Sequence, residues 1–128
     1  MSSLSRILYV EDEPDIRMVA RMALESVGGF TLEVCSSGKE ALEKVAAFKP
    51  DLILLDVMMP GLDGPATLAA LRALETCAKT PVIFMTAKVQ PSELARFRAL
   101  GALEVISKPF DPMTLSAAVT AIWEGARG

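Results

Sequence analysis

Two aspartates bracket four apolar residues in Asp51-Leu52-Ile53-Leu54-Leu55-Asp56, and Val57-Met58-Met59-Pro60-Gly61 follows. A carboxylate that closes a buried run can be plain punctuation facing water, or it can serve as a nucleophile or cation ligand. Three other apolar runs also end in reactive groups: the first at Glu11-Asp12-Glu13, another at Thr86, and the last at Lys108. Two carboxylates about 4 Å apart repel by about 4 kcal/mol at an effective dielectric of roughly 20. If Glu11, Asp12 and Asp56 meet, they need protonation or a cation. An all-oxygen set with open positions suits Mg²⁺, with Mn²⁺ as a substitute, because such ions keep waters and accept a phosphate oxygen. A phosphoryl group on Asp56 would meet the cation on one side and the Lys108 ammonium and Thr86 hydroxyl on the other. Phosphoryl transfer needs that combination of positioning and charge neutralisation. Taken singly, each residue also reads as a strand-end carboxylate, a turn-capping threonine or a solvated lysine.

What decides between the readings is whether the elements bring these residues to one place. Short apolar runs bounded by turn residues predict strands over 6–10, 31–35, 52–56, 81–86 and 104–107. Between them lie helical patterns. The first opens at Pro14 with a buried stripe of Ile16, Val19, Ala20, Ala23, Leu24 and Val27, and Gly28-Gly29 ends it. The second turns Ala41, Leu42, Val45 and Ala46 inward, the third Leu68 and Leu71, and the fourth Leu94, Phe97 and Leu100. The fifth starts from an Asp111 cap with Pro112 at its first position and packs Leu115, Val119, Ile122 and Trp123. Strands alternating with helices predict a doubly wound α/β fold, flavodoxin-like, with a five-stranded parallel sheet in the order 2-1-3-4-5 and five helices. Its switch point lies between the first and third strands, where Glu11-Asp12 would face Asp56.

Composition narrows the classes. The chain has 128 residues, enough for one domain, with a core expected over about 6–124. At 52% apolar and 23% charged residues it is no disordered segment. The absence of an apolar run of about 20 residues, and of a basic-plus-apolar leader, predicts a cytoplasmic protein with no membrane partner. A net charge of -3 with interspersed signs argues against direct nucleic-acid binding. Histidine is absent, which removes Ser-His-Asp and Cys-His catalysis, His metal ligation and a histidine phosphodonor role. Cys35 and Cys77 form no CxxC pair and read as free thiols.

Four motifs carry a family resemblance: Ile7-Leu8-Tyr9-Val10-Glu11-Asp12-Glu13, Leu54-Leu55-Asp56-Val57-Met58-Met59-Pro60-Gly61-Leu62-Asp63-Gly64, Phe84-Met85-Thr86-Ala87, and Lys108-Pro109-Phe110. From about Arg6 to Trp123 the chain resembles a two-component response regulator receiver domain, similar to CheY-like single-domain regulators. The resemblance implies a phosphorelay switch in which Asp56 accepts a phosphoryl group from a sensor histidine kinase or a histidine phosphotransfer protein. It implies direct Mg²⁺ ligation by Asp12, Asp56 and the Met58 backbone carbonyl, with Glu11 acting through water. It also implies that Lys108 binds the phosphoryl group, that Thr86 switches toward it, and that Lys108-Pro109 is a cis peptide. Such a domain catalyses only its own phosphorylation and dephosphorylation, and it is not otherwise an enzyme. A downstream protein target would be met on the face of the fourth helix, fifth strand and fifth helix.

Where the family often has an aromatic residue three positions before the lysine, this chain has Val105. A compact β-branched side chain cannot make a large ring's inward-outward swing, so the relay is expected through Thr86 and Ala87-Lys88-Val89-Gln90. Arg17, Met18, Arg21 and Met22 lie off the buried stripe of the first helix and read as solvated surface or as the adaptable face that meets the kinase. The rival readings are a domain excised from a multidomain regulator, a flavodoxin and a haloacid dehalogenase-type phosphatase. The phosphatase would need an acid two residues after its nucleophile, where Met58 stands. A flavodoxin would need a Ser/Thr/Gly-rich phosphate loop after the first strand.

Overall fold

Five apolar runs pair in parallel, so every strand points its carboxyl end to one rim. The computed structural model describes residues 3–87 and 89–127, and Lys88 of the expected relay loop lies outside the described residues. The strands are β1 (Arg6–Val10), β2 (Thr31–Cys35), β3 (Leu52–Asp56), β4 (Val82–Thr86) and β5 (Glu104–Ser107), in the order β2-β1-β3-β4-β5. The helices are α1 (Pro14–Arg21), α2 (Gly38–Phe48), α3 (Gly64–Arg72), α4 (Pro91–Ala99) and α5 (Leu115–Arg127).

Because side chains alternate along a strand, the sheet feeds two cores. Leu8, Val10, Ile53, Leu55, Val82 and Phe84 pack against Ala41, Val45, Leu68, Leu71 and Phe97 of α2, α3 and α4. The intervening Ile7, Tyr9, Leu52, Leu54, Ile83 and Met85 pack against Ala20, Ala23, Leu24, Leu115, Val119 and Trp123 on the other face. The central strands β3 and β4 are buried along their whole length. The two aspartates around the Leu52–Leu55 run have opposite fates. Asp51 Oδ2 accepts the backbone N–H groups of Ser5 (3.0 Å) and Arg6 (2.9 Å) and ties down the start of β1. Asp56 emerges at the other rim.

Five expected details differ. Val19 (38% exposed) and Val27 (44% exposed) are not part of the buried stripe. From Met22 to Val27 the first helix widens into π-helical turns, with Gly28 N–H bonded to Ala23 O at 3.2 Å. Ser116 Oγ of α5 donates to the same oxygen at 2.6 Å, and a Cβ on Gly28 would lie 2.1 Å from that hydroxyl. The glycine and the widened turn thus admit α5, and Val27 is carried outward. Ala46 is exposed because the α2 stripe runs through Gly38, Ala41 and Val45, with Leu42 and Phe48 half-buried beside it. Leu100, 45% exposed, is the C-terminal cap of α4 and stands beyond the face that Phe97 buries against Phe84. Asp111 does cap, through Oδ1 to the Met113 N–H (2.9 Å), but it caps a turn over 112–114 and the regular helix begins at Leu115.

The turn after β3 depends on a close backbone approach. Asp63 caps α3 by accepting the Ala66 N–H at 2.9 Å, and Gly64 N–H bonds Val57 O at 2.9 Å. A Cβ on Gly64 would sit 2.7 Å from both Asp56 O and Val57 Cα, which are backbone atoms that cannot swing aside. In an unhindered helix Gly→Ala would stabilise by about 1 kcal/mol. Here we expect Gly64→Ala to destabilise by about 1–3 kcal/mol, the range for overpacking. Urea denaturation reads the sign directly, and a raised midpoint would contradict the close approach.

Candidate phosphoacceptor and cation site

The register places the functional ends side by side. Val10 is level with Leu55, so Glu11 and Asp56 follow at adjacent strand ends, and Thr86 is level with Ser107, one residue before Lys108. The Lys108 N–H donates to Thr86 O at 2.9 Å, and the Lys108–Pro109 peptide is cis, as the resemblance implied.

The Lys108 ammonium joins the two strand ends, donating to Glu11 Oε1 at 2.9 Å and to Asp56 Oδ1 at 3.0 Å. All three side chains are withdrawn from water, at 14% exposure for Lys108, 4% for Asp56 and none for Glu11. Glu11 is held from several directions. Its N–H bonds Cys35 O (3.0 Å), its carbonyl accepts from Arg17 Nη1 (2.8 Å), and its Oε2 accepts the Glu13 N–H (3.3 Å). The Tyr9 hydroxyl makes a longer contact to Oε1 at 3.4 Å. Burial, with the nearby negative charges of Glu11 and Asp56, drives the Tyr9 pKa well above the usual phenol range.

Asp12 completes the acidic group. One carboxylate oxygen each from Glu11, Asp12 and Asp56 lies within 4.8 Å of the others. Asp12 Oδ1 is buried and has no hydrogen-bond partner among the described residues. A buried, unsatisfied carboxylate oxygen is costly, and beside two further carboxylates it fits a hard cation taking oxygen ligands. Burial pushes the Asp56 carboxyl above the ordinary carboxylate range, against the Lys108 hydrogen bond, and the Glu11 charge adds to the rise. For Lys108 burial works the other way, but the hydrogen bonds it donates to Glu11 and Asp56 outweigh it and hold the ammonium above its ordinary pKa.

The remaining expected residues fall around this centre. Thr86 ends β4 and is 3% exposed. Met58 lies two residues beyond Asp56 with its side chain 62% exposed. Val105 is half-buried on β5 against the core beneath α2, α3 and α4, away from the rim. On α1 and the first π-helical residue after it the four surface residues divide. Met18 (72% exposed) and Met22 (52% exposed) are open, Arg21 pairs with Glu25 at 3.1 Å, and Arg17 is half-buried on the Glu11 carbonyl. Sequence reasoning passed over the site contacts of Tyr9 and Arg17. Tyr9 reads as one more apolar strand residue, and its only signal is a hydroxyl two positions before Glu11. Both cysteines are buried free thiols, and burial pushes the Cys35 pKa up to about 12.

The chain matches the family described as the response regulator receiver domain over residues 7–120. It is 35% identical to the transcriptional regulatory protein CseB of Streptomyces coelicolor, over 95% of this chain and 50% of that protein. It is 36% identical to the regulatory protein AtoC of Escherichia coli, over 87% of this chain and 23% of that one. A further relative, at 44% identity over 81% of this chain and 30% of that protein, is a protein-glutamate methylesterase/protein-glutamine glutaminase of Myxococcus xanthus. The chain therefore spans half or less of the length of these curated relatives. Among solved structures it is similar to the chemotaxis protein CheY4 of Vibrio cholerae, with a TM-score of 0.86 and 29% identity over 94% of this chain and 99% of that one. Strand order, rim chemistry and these matches agree: the chain belongs to the response regulator receiver domain family of two-component systems.

Proposed function

We propose that residues 1–128 act as one cytoplasmic receiver domain that accepts a phosphoryl group on Asp56 and signals its presence to a downstream protein. The observation that carries this reading is the meeting of Asp56 with Lys108 at 3.0 Å beside the unsatisfied Asp12 Oδ1. Mg²⁺, or Mn²⁺ in its place, would be held by Asp12, Asp56 and the Met58 carbonyl, with Glu11 through water, and would neutralise phosphoryl oxygens. An Asp56 carboxylate oxygen attacks the phosphorus of a phosphohistidine on a sensor kinase or phosphotransfer protein, in line with the departing imidazole. The Lys108 ammonium exchanges its bond to Asp56 Oδ1 for a phosphoryl oxygen. The Thr86 hydroxyl donates to another. Exposed Met18 and Met22, with Arg21, offer the partner an adaptable face along α1 and the π-helical turn after it, and Arg17 holds the Glu11 end of that face in place. The domain turns over no separate substrate, and direct nucleic-acid or membrane contact is not part of the reading. No described helix is long and apolar enough to cross a membrane. The length of the curated relatives favours a second arrangement, in which the same switch is one part of a longer regulator.

Acetyl phosphate with Mg²⁺ should place one phosphate on Asp56, read by intact mass and peptide analysis, and Asp56→Asn should abolish it. Efficient labelling without a divalent cation, or wild-type labelling of Asp56→Asn, would overturn the assignment.

How the signal leaves the site follows from magnitudes. Moving a two-state population from about 1:99 to 99:1 takes about 5.5 kcal/mol of differential affinity. Charge-assisted hydrogen bonds contribute about 1.5–3 kcal/mol each, so Lys108 and Thr86 together supply most of it without an aromatic swing at Val105. With beryllofluoride and Mg²⁺ as phosphoryl stand-ins, NMR shift changes over residues 86–107 should be largely lost in Thr86→Ala and Lys108→Ala, and only modestly altered in Val105→Ala. The reverse ranking would refute the relay.

A further inference from the structure

We propose that the cleft beside Lys108 binds the apolar portion of a small-molecule phosphodonor, and that the domain favours aromatic acyl phosphates over acetyl phosphate. This rests on Asp56 being the phosphoacceptor. The cleft has a volume of about 440 Å³ and is lined by Asp15, Ile16, Val19, Ala87, Lys108, Pro109 and Phe110. Its exposed lining is hydrocarbon throughout. Val19, which the helical pattern assigned to the core, is 38% exposed on this wall. One of the lining side chains, Lys108, ends in the ammonium that contacts Asp56 Oδ1 at 3.0 Å, and Ala87 directly follows Thr86. The Lys108 stem forms part of a hydrocarbon wall while its ammonium faces Asp56, so an anionic head held at Asp56 has apolar surface one lysine stem away that complements an uncharged, apolar substituent. Sites of this size are commonly apolar with a few polar groups that fix orientation. The other cleft near the rim, about 430 Å³ and lined by Val57, Met58, Met59, Pro60, Asp63, Pro65 and Arg96, includes an acid and an arginine and does not share Lys108.

The transfer balances without a further reactant. An Asp56 carboxylate oxygen bonds to phosphorus as the bond from phosphorus to the acyl oxygen breaks. The bonding pair leaves with the acyl oxygen as a carboxylate, and no proton is required. In-line geometry puts that leaving carboxylate on the side of phosphorus away from Asp56, where the apolar walls can hold its ring. Walls of hydrocarbon alone disfavour a donor with a second negative charge, which would lose its hydration there.

The test compares initial rates of Asp56 phosphorylation by benzoyl, acetyl and succinyl phosphate at equal, subsaturating concentrations with Mg²⁺. Benzoate is a slightly better leaving group than acetate on any protein, so the change in the benzoyl-to-acetyl ratio between variants is the readout. Burial of the ring should give wild type a ratio roughly tenfold above that of Val19→Asn. Val19→Leu should keep the wild-type ratio, and all three proteins should use acetyl phosphate equally. Succinyl phosphate should show no gain over acetyl phosphate. A ratio unchanged in Val19→Asn would overturn the cleft assignment while leaving Asp56 as acceptor. Failure of every donor to label Asp56 would remove both readings together.

Discussion

A single lysine holds together a rim that would otherwise repel itself. Glu11 and Asp56 are withdrawn from water at adjacent strand ends, and Lys108 answers both, at 2.9 and 3.0 Å. Its charge balances only one of them, and Asp12 beside them keeps a buried oxygen with no described hydrogen-bond partner. The burial that desolvates the group also makes each charge matter more, since Coulomb energies rise as the local dielectric falls. The resting site therefore carries an excess of negative charge that a divalent cation can relieve. Burial, with the Glu11 charge adding to it, lifts the Asp56 pKa against the Lys108 hydrogen bond, so a cation at the cluster also favours the ionised, nucleophilic form.

The remainder of the fold serves this arrangement. A parallel sheet delivers all its strand ends to one rim, and burial on both faces fixes the register, because a one-residue slip would turn every core side chain outward. Gly64 lets the chain leave Asp56 tightly into α3, and the bond from Lys108 N–H to Thr86 O keeps the last two strand ends together. Ser116 locks α5 onto the widened turn of the first helix. The helix that carries Arg17 toward the Glu11 carbonyl is thereby held at the rim at one end and on α5 at the other.

Strand positions, sheet order and the meeting of Glu11, Asp12, Asp56 and Lys108 were legible in the chain because short apolar runs ending in turn residues have few other readings. What was not legible depended on distant neighbours. Asp51 and Asp56 flank one run symmetrically, and only the backbone of Ser5 and Arg6 shows the first to be structural. Helical spacing marks Val19, Val27, Ala46 and Leu100 as core candidates, but spacing cannot say where the covering surface stops. The π-helical widening coincides with a contact between residues 23 and 116, far outside any local window. Arg17 looked like helix surface, yet its length lets the guanidinium reach back to a carbonyl on the rim.

The central claim, that this rim is an anionic cluster completed by a divalent cation, is tested most directly by folding stability with and without Mg²⁺ in wild type and Asp12→Asn. A ligand that binds only the folded state stabilises it by about 2.7 kcal/mol at a hundred times its Kd. Wild type should gain stability on that scale in urea denaturation, whereas Asp12→Asn should gain little and be at least as stable as wild type without metal. No gain in wild type, or an equal gain in Asp12→Asn, would contradict the account.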